Sequence, residues 1–166
     1  MMDERYCKPA PPTVERLSVD DGISALLPGS DFADNYGFTV TGRQVDAPTV
    51  ATALFQNAPR WMAGLMRLRN CVVEALGLKS VALGAFPVLC ESPELVILGL
   101  DYRHLDFRIA IRVGECQRVN VSTLVRIHNR LGRAYLAAIL PFHRIIVTES
   151  LKRTAAELAV PRSSLT

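Results

Sequence analysis

Leu105-Asp106-Phe107-Arg108-Ile109-Ala110-Ile111-Arg112-Val113, a break at Gly114-Glu115-Cys116, and then Val119-Asn120-Val121-Ser122-Thr123-Leu124-Val125-Arg126-Ile127 form the stretch that decides the fold. Leu105, Phe107, Ile109, Ile111 and Val113 are each separated by one polar or small residue. Val119, Val121, Thr123, Val125 and Ile127 repeat the pattern. A period of two places these side chains on one face of a pleated strand, so the stretch reads as two antiparallel strands with an apolar and a polar face. Upstream, Leu95 to Leu100 lies between turns at Glu91-Ser92-Pro93 and Tyr102-Arg103, and Val81 to Leu89 precedes it. Four strands in succession make a meander, and a one-faced sheet needs a cover.

The cover lies downstream. Asn129 and Gly132 start a long helix through Leu158, with Leu131, Tyr135, Ala138, Phe142 and Ile145 along its expected apolar stripe. Pro141 lies inside it and should kink it, because proline removes a backbone donor and crowds the preceding turn. On the N-terminal side, Phe32–Val40 reads as a first strand, and Asp46 or Thr49 can cap a short helix carrying Val50, Ala53, Leu54 and Phe55. Pro59 opens a second helix over Arg60–Leu76, with Trp61, Leu65, Leu68, Val72 and Leu76 at helical spacing and Gly77 as its stop. Residues 1–30 read as an arm without a core element, broken by Pro9, Pro11, Pro12 and Pro28-Gly29 and anchored by Leu26-Leu27. The organisation expected is an arm (1–30), one α+β domain (31–158) and a tail (159–166).

Composition is that of a soluble globular chain. Of 166 residues, 49% are hydrophobic and 21% charged, enough for one core that buries roughly 70% of the unfolded chain's surface. Residues 1–102 carry 8 basic and 12 acidic groups, a net of −4, and residues 103–166 carry 11 basic and 4 acidic, a net of +7. The arginines are scattered and not interleaved with aromatics, which argues for a solvated basic face and against a nucleic-acid groove. Cys7, Cys71, Cys90 and Cys116 form no Cys-x-x-Cys pair and no zinc-like spacing. The mixed charges of Met1-Met2-Asp3-Glu4-Arg5 are unlike a secretory signal, and Ala134–Val147, interrupted by His143 and Arg144, is short for a membrane span. A cytoplasmic protein with reduced thiols and no transmembrane segment is the expectation.

The element order, with particular residues, resembles the helix-grip (SRPBCC) superfamily, which includes START lipid-transfer domains, birch-pollen-allergen-like proteins and polyketide cyclases. More closely, the chain resembles a bacterial family known as domain of unknown function 2867. The residues that carry this are Leu27-Pro28-Gly29-Ser30-Asp31-Phe32-Ala33-Asp34, Ala58-Pro59-Arg60-Trp61, Leu98-Gly99-Leu100-Asp101 and His104-Leu105-Asp106-Phe107-Arg108. The most specific is Val125-Arg126-Ile127-His128-Asn129-Arg130-Leu131-Gly132-Arg133-Ala134-Tyr135, with Pro141-Phe142-His143-Arg144 beyond it. The resemblance implies a helix-grip fold, a sheet curved around the C-terminal helix, and by analogy an apolar ligand cavity; it implies no activity.

No nucleophile elbow, phosphate-binding loop or dinucleotide fingerprint occurs. His104-x-Asp106 and His128 have the residue types of a facial iron triad. They alternate with Leu105, Phe107 and Ile127, however, and so point to an open polar face, where a structural network is expected and no metal or cofactor. Asp106, Arg108 and Arg126 share that parity and are expected to pair across strands. Glu74 reads as solvated, and Trp61, Met62, Leu65 and Met66 read either as lining of a ligand site or as ordinary core. The site expected is a gap between sheet and helix, lined by Phe107, Ile109, Val121, Val125, Tyr135 and Phe142, with Trp61 at its mouth; a gap of less than roughly 300 Å³ would count against a pocket. On the inward faces of the last two strands Thr123 is the only polar entry, which favours binding a small hydrophobic molecule over a cyclase- or hydrolase-type enzyme. A scaffold with a filled core is the third possibility.

Overall fold

A computed structural model describes residues 13–55 and 86–159. The helix expected over Arg60–Leu76, with Trp61, and the first residues of the strand expected over Val81–Leu89 lie outside them. The elements are β1 (Glu15–Leu17), α1 (Asp21–Ser24), β2 (Phe32–Thr39), α2 (Ala47–Phe55), β3 (Val88–Glu91), β4 (Leu95–Asp101), β5 (Leu105–Val113), β6 (Arg118–Ile127) and α3 (Arg130–Ala159). The six strands form one open antiparallel sheet in the order β1-β2-β6-β5-β4-β3. The molecule is therefore α+β, with a long C-terminal helix laid on one sheet face in a helix-grip-like arrangement.

The β5–β6 turn sets the register of the whole meander. Cys116 and Gln117 both hold left-handed backbone angles, φ 52° and 56°, which non-glycine residues adopt only when their surroundings hold them there. Here the Gln117 carbonyl accepts from Val40 N at 3.0 Å, and its side-chain Oε1 accepts from Val45 N at 2.6 Å. Anchored this way, Val113 faces Val119, Ile109 faces Thr123 and Phe107 faces Val125. Across β6, Phe32, Asp34, Tyr36 and Phe38 of β2 face Val125, Thr123, Val121 and Val119. One parity thus runs through β2, β6 and β5 and forms the covered face.

That face is filled unevenly. At one end α2 and the last turns of α3 close on Phe38, Val50, Ile111, Val119, Leu151, Ala155 and Leu158, all buried. α2 starts at Asp46, whose Oδ1 accepts from Thr49 N at 2.9 Å; hydrogen bonds from Thr49 hold this carboxyl below its ordinary pKa. α3 is capped by Asn129, whose Oδ1 accepts from Gly132 N at 3.0 Å. Towards its start, α3 is only half-buried.

Two expectations change. Within the arm, residues 13–30 contribute to the core: β1 extends the sheet, and Ile23 of α1 covers Leu124 on the opposite sheet face together with Leu27, part of the anchor expected of the arm. The elements there are too short to leave a periodic signature. The helical stripe is rotated by about one residue. Leu136, Ile139, Leu140, His143, Ile146, Val147, Ser150 and Leu151 face inward, while Ile145 is 53% exposed. The helix is apolar on several sides between Leu131 and Val147, so periodicity alone could not choose the face. α3 runs as one helix through Pro141. Pro141 and Ala137, whose carbonyl loses its usual partner, both lie on the exposed side, where water can serve that carbonyl. By length and composition alone α3 is apolar enough to cross a membrane; here its inward face lies on the sheet.

Candidate functional site

Between the half-buried start of α3 and the sheet lies a chamber of about 200 Å³. Its floor is Phe107 and Ile109 of β5, Val121, Thr123 and Val125 of β6, and Phe32 of β2. Its roof runs from Tyr135 to Leu151 of α3, and Leu54, Phe55 and Phe86 close the side next to α2. Phe86 stands edge-on to both Phe55 and Phe107, with ring centroids 6.3 Å and 4.9 Å apart, a favourable aromatic geometry.

Of the residues expected at this site, Phe107, Ile109, Val121, Val125 and Tyr135 line the chamber. Phe142 does not: the rotation of the stripe places Leu140 and His143 there in its stead. Trp61 lies outside the described residues. At about 200 Å³ the chamber falls below the roughly 300 Å³ set for a pocket, because Leu136, Ile139, Leu140 and Ile146 project into the gap that the strand pattern left open, and so counts against that expectation. It nevertheless exceeds the cavity of roughly 150 Å³ that is known to admit benzene.

His143 in the wall makes a polar contact behind the chamber lining that strand parity on β5 and β6 did not reveal. His143 Nε2 lies 3.0 Å from Asp34 Oδ2, and Asp34 is 2% exposed. Phe32 meets the His143 ring edge-on at 5.8 Å. The other carboxylate oxygen, Asp34 Oδ1, is buried with no hydrogen-bond partner among the described residues. Asp34 stands opposite Thr123, itself in the chamber wall. A signal for this pair did exist: Asp34 shares the parity of Phe32, Tyr36 and Phe38, so an acid sits in an apolar row. His143 fits the helical spacing 136-139-143-146-150. Neither stands out until the sheet and helix are apposed.

The polar group expected on the opposite face is present but differently composed. Asp106 Oδ2 accepts from Arg126 at 2.6 Å, and His128 Nε2 lies 2.9 Å from Asp106 Oδ1. Asp106 is only 4% exposed. The face is not open, because the Pro28 segment crosses it and Arg126 reaches the Pro28 carbonyl. Burial alone would raise the Asp106 pKa; hydrogen bonds from His128 and Arg126 outweigh it and hold the carboxyl below its usual range. Arg108 is not part of this group. It lies over Gly99, where no side chain stands, and pairs with Asp101 at 2.6 Å. His104 precedes β5, so strand parity does not govern it. Its ring stacks on Tyr102 at 5.3 Å and meets Tyr135 edge-on at 6.0 Å. Burial first, and the neighbouring His128 second, lower its pKa. No cluster of three or more His, Cys, Asp or Glu side chains suited to a metal occurs among the described residues.

An open antiparallel sheet, one long helix across it and a largely apolar chamber between them define an α+β protein of helix-grip-like architecture. The chain belongs to a family of proteins of unknown function: the family model described as "Protein of unknown function (DUF2867)" matches residues 26–150. That span contains every lining residue named above except Leu151. No curated protein and no solved structure matches the chain.

Proposed function

We propose that this protein binds a small, mainly apolar molecule in the chamber between α3 and the sheet. The observation that carries the reading is the chamber itself, about 200 Å³ walled chiefly by aliphatic and aromatic side chains with a few converging polar groups, the usual composition of a ligand site. Its volume sets the size of the guest. Space somewhat larger than a benzene site holds a single ring with a short substituent, and a larger guest would extend out of it.

Turnover in the same chamber is a second reading, favoured by one observation: a histidine oriented by a buried carboxylate is a common general-base arrangement. Thermal unfolding in the presence of monocyclic aromatics, a sterol and a long-chain fatty acid tests the binding reading. Single-ring compounds should raise the melting temperature, and the larger classes should do so only if part of each can enter the chamber. Ile139→Trp, which fills the chamber from α3, should fold and lose the response. Equal silence from every compound, with native behaviour of Ile139→Trp, would remove the reading.

A further inference from the structure

We propose that the outward face of the first half of α3 is a docking surface for an anionic lipid bilayer. Ala134, Ala137, Pro141 and Ile145 follow one another at steps of three and four, and all are exposed. They therefore form one stripe on the side of the helix turned away from the sheet. Ile145 is 53% exposed, and only 11% of the most apolar 18-residue window of α3 is buried in the protein. Arg130, Arg133 and Arg144 stand along the same face and are exposed as well. No acidic residue occurs between Glu115 and Glu149.

The arginines select the partner. On the sheet, Arg108, Arg118 and Arg126 each pair with a carboxylate, that of Asp101, Glu15 and Asp106 respectively. Arg130, Arg133 and Arg144 make no ion pair among the described residues. Their charge is left for a partner, and its complement is a layer of anions. A second copy of the chain fits less well, because two such stripes packed together would bring like charges into a desolvated seam. A phospholipid surface offers phosphate and carboxylate acceptors that suit the guanidinium fork, while the apolar side chains between the arginines enter the boundary of the acyl layer. The helix lies along that surface and does not cross it, since Leu151, Ala155 and Leu158 are core and His143 is tied to Asp34. The stripe faces away from the chamber, so it stands apart from the chamber reading.

Flotation of the full chain with vesicles tests this. Phosphatidylcholine vesicles containing about a quarter phosphatidylserine should carry the protein, and phosphatidylcholine alone should not. Raising salt from about 0.1 M to about 0.5 M should weaken the binding, as screening requires. Arg133→Gln and Arg144→Gln should each lower the affinity about fivefold. Arg118→Gln, an equal loss of charge on the sheet, should leave it unchanged. Ile145→Asp should lower it too, and all these α3 variants should melt with the wild type, because the side chains are exposed. Indifference to anionic vesicles would overturn the surface, whether the protein binds nothing, captures a DNA duplex or forms a dimer that the same substitutions disrupt. Equal losses for Arg118→Gln and Arg144→Gln would reduce the effect to net charge and overturn it as well. The response to single-ring compounds should be the same in Arg144→Gln as in the wild type, which keeps the two proposals separate.

Discussion

Gly132 shows how far one missing atom can matter. A Cβ built there would stand 2.0 Å from the His104 carbonyl oxygen, and that carbonyl is held by a 3.0 Å hydrogen bond from His128 N. Neither the strand end nor the first turn of α3 can give way cheaply. Gly132→Ala should therefore destabilise by about 1–3 kcal/mol despite alanine's better helix propensity, read as a fall in urea midpoint at unchanged slope. Asp106 carries a second prediction. Asp106→Asn should cost about 1–3 kcal/mol at pH 7, because it weakens two charge-assisted bonds to a buried group, and Arg126→Gln less, since Arg126 is partly exposed. Their effects should fall short of additive by about 0.5 kcal/mol or more if the pair interacts directly. The native Asp106 pKa is depressed, so its contribution is present above the unfolded value near 4 and is lost as pH falls through the lower native value. At pH 3 the difference between wild type and Asp106→Asn should shrink. The neutral form of His104 is favoured on folding, so the native state loses stability as pH drops below about 6.5. His104→Phe should remove that earlier loss while leaving the acidic one.

Among the elements, α3 does two different jobs along its length. Its last turns are core: Leu151, Ala155 and Leu158 are buried against α2 and the sheet. Leu151→Ala should cost about 2–5 kcal/mol, the range for emptying a fully packed leucine site. Ile145→Ala, on the exposed side, should stay within about 0.5 kcal/mol of wild type. The contrast tests the rotation of the stripe directly, since the sequence pattern placed Ile145 inward. Truncation at Asn129 should expose the covered sheet face and give aggregated or molten material; a monomer with a sharp melting transition would show that the core lies elsewhere. The arm has an element role too: the Ile23–Leu27 segment shields Leu124, and Arg126 holds the adjacent Pro28 carbonyl.

For the whole molecule, the charge asymmetry along the chain partly cancels in space. Arg118 of the basic half pairs with Glu15 at 2.8 Å, and Arg108 with Asp101 at 2.6 Å, both acids of the acidic half. Sheet pairing brings β1 and β6 to either side of β2, and so mixes the halves. This weakens any case for a single basic surface across the whole C-terminal half, and leaves the arginines on the outward face of α3 as the remainder. The chamber is the other property of the whole. A ligand at 100 times its dissociation constant adds about 2.7 kcal/mol of apparent stability, which for a domain of this size raises the melting temperature by roughly 5–10 °C. A single-ring guest at that excess should produce such a shift, measured by calorimetry against a matched blank.

By itself, the sequence determined the period-two strands from Leu95 to Ile127, their parity, the long C-terminal helix and hence the α+β class. Those features are local: side-chain period and capping depend only on neighbours in the chain. Five of the chamber's lining residues, Phe107, Ile109, Val121, Val125 and Tyr135, were legible for the same reason. Only the tertiary structure decided which side of α3 faces the sheet, and so put His143 and not Phe142 in the wall. Helical spacing allows several faces when most of a helix is apolar, and the choice falls to packing over the whole sheet. Likewise, Asp34 and His143 are far apart in the chain and neither carries a motif. Their 3.0 Å contact exists because β2 pairs with β6 and α3 crosses both, a long-range event that no local pattern encodes.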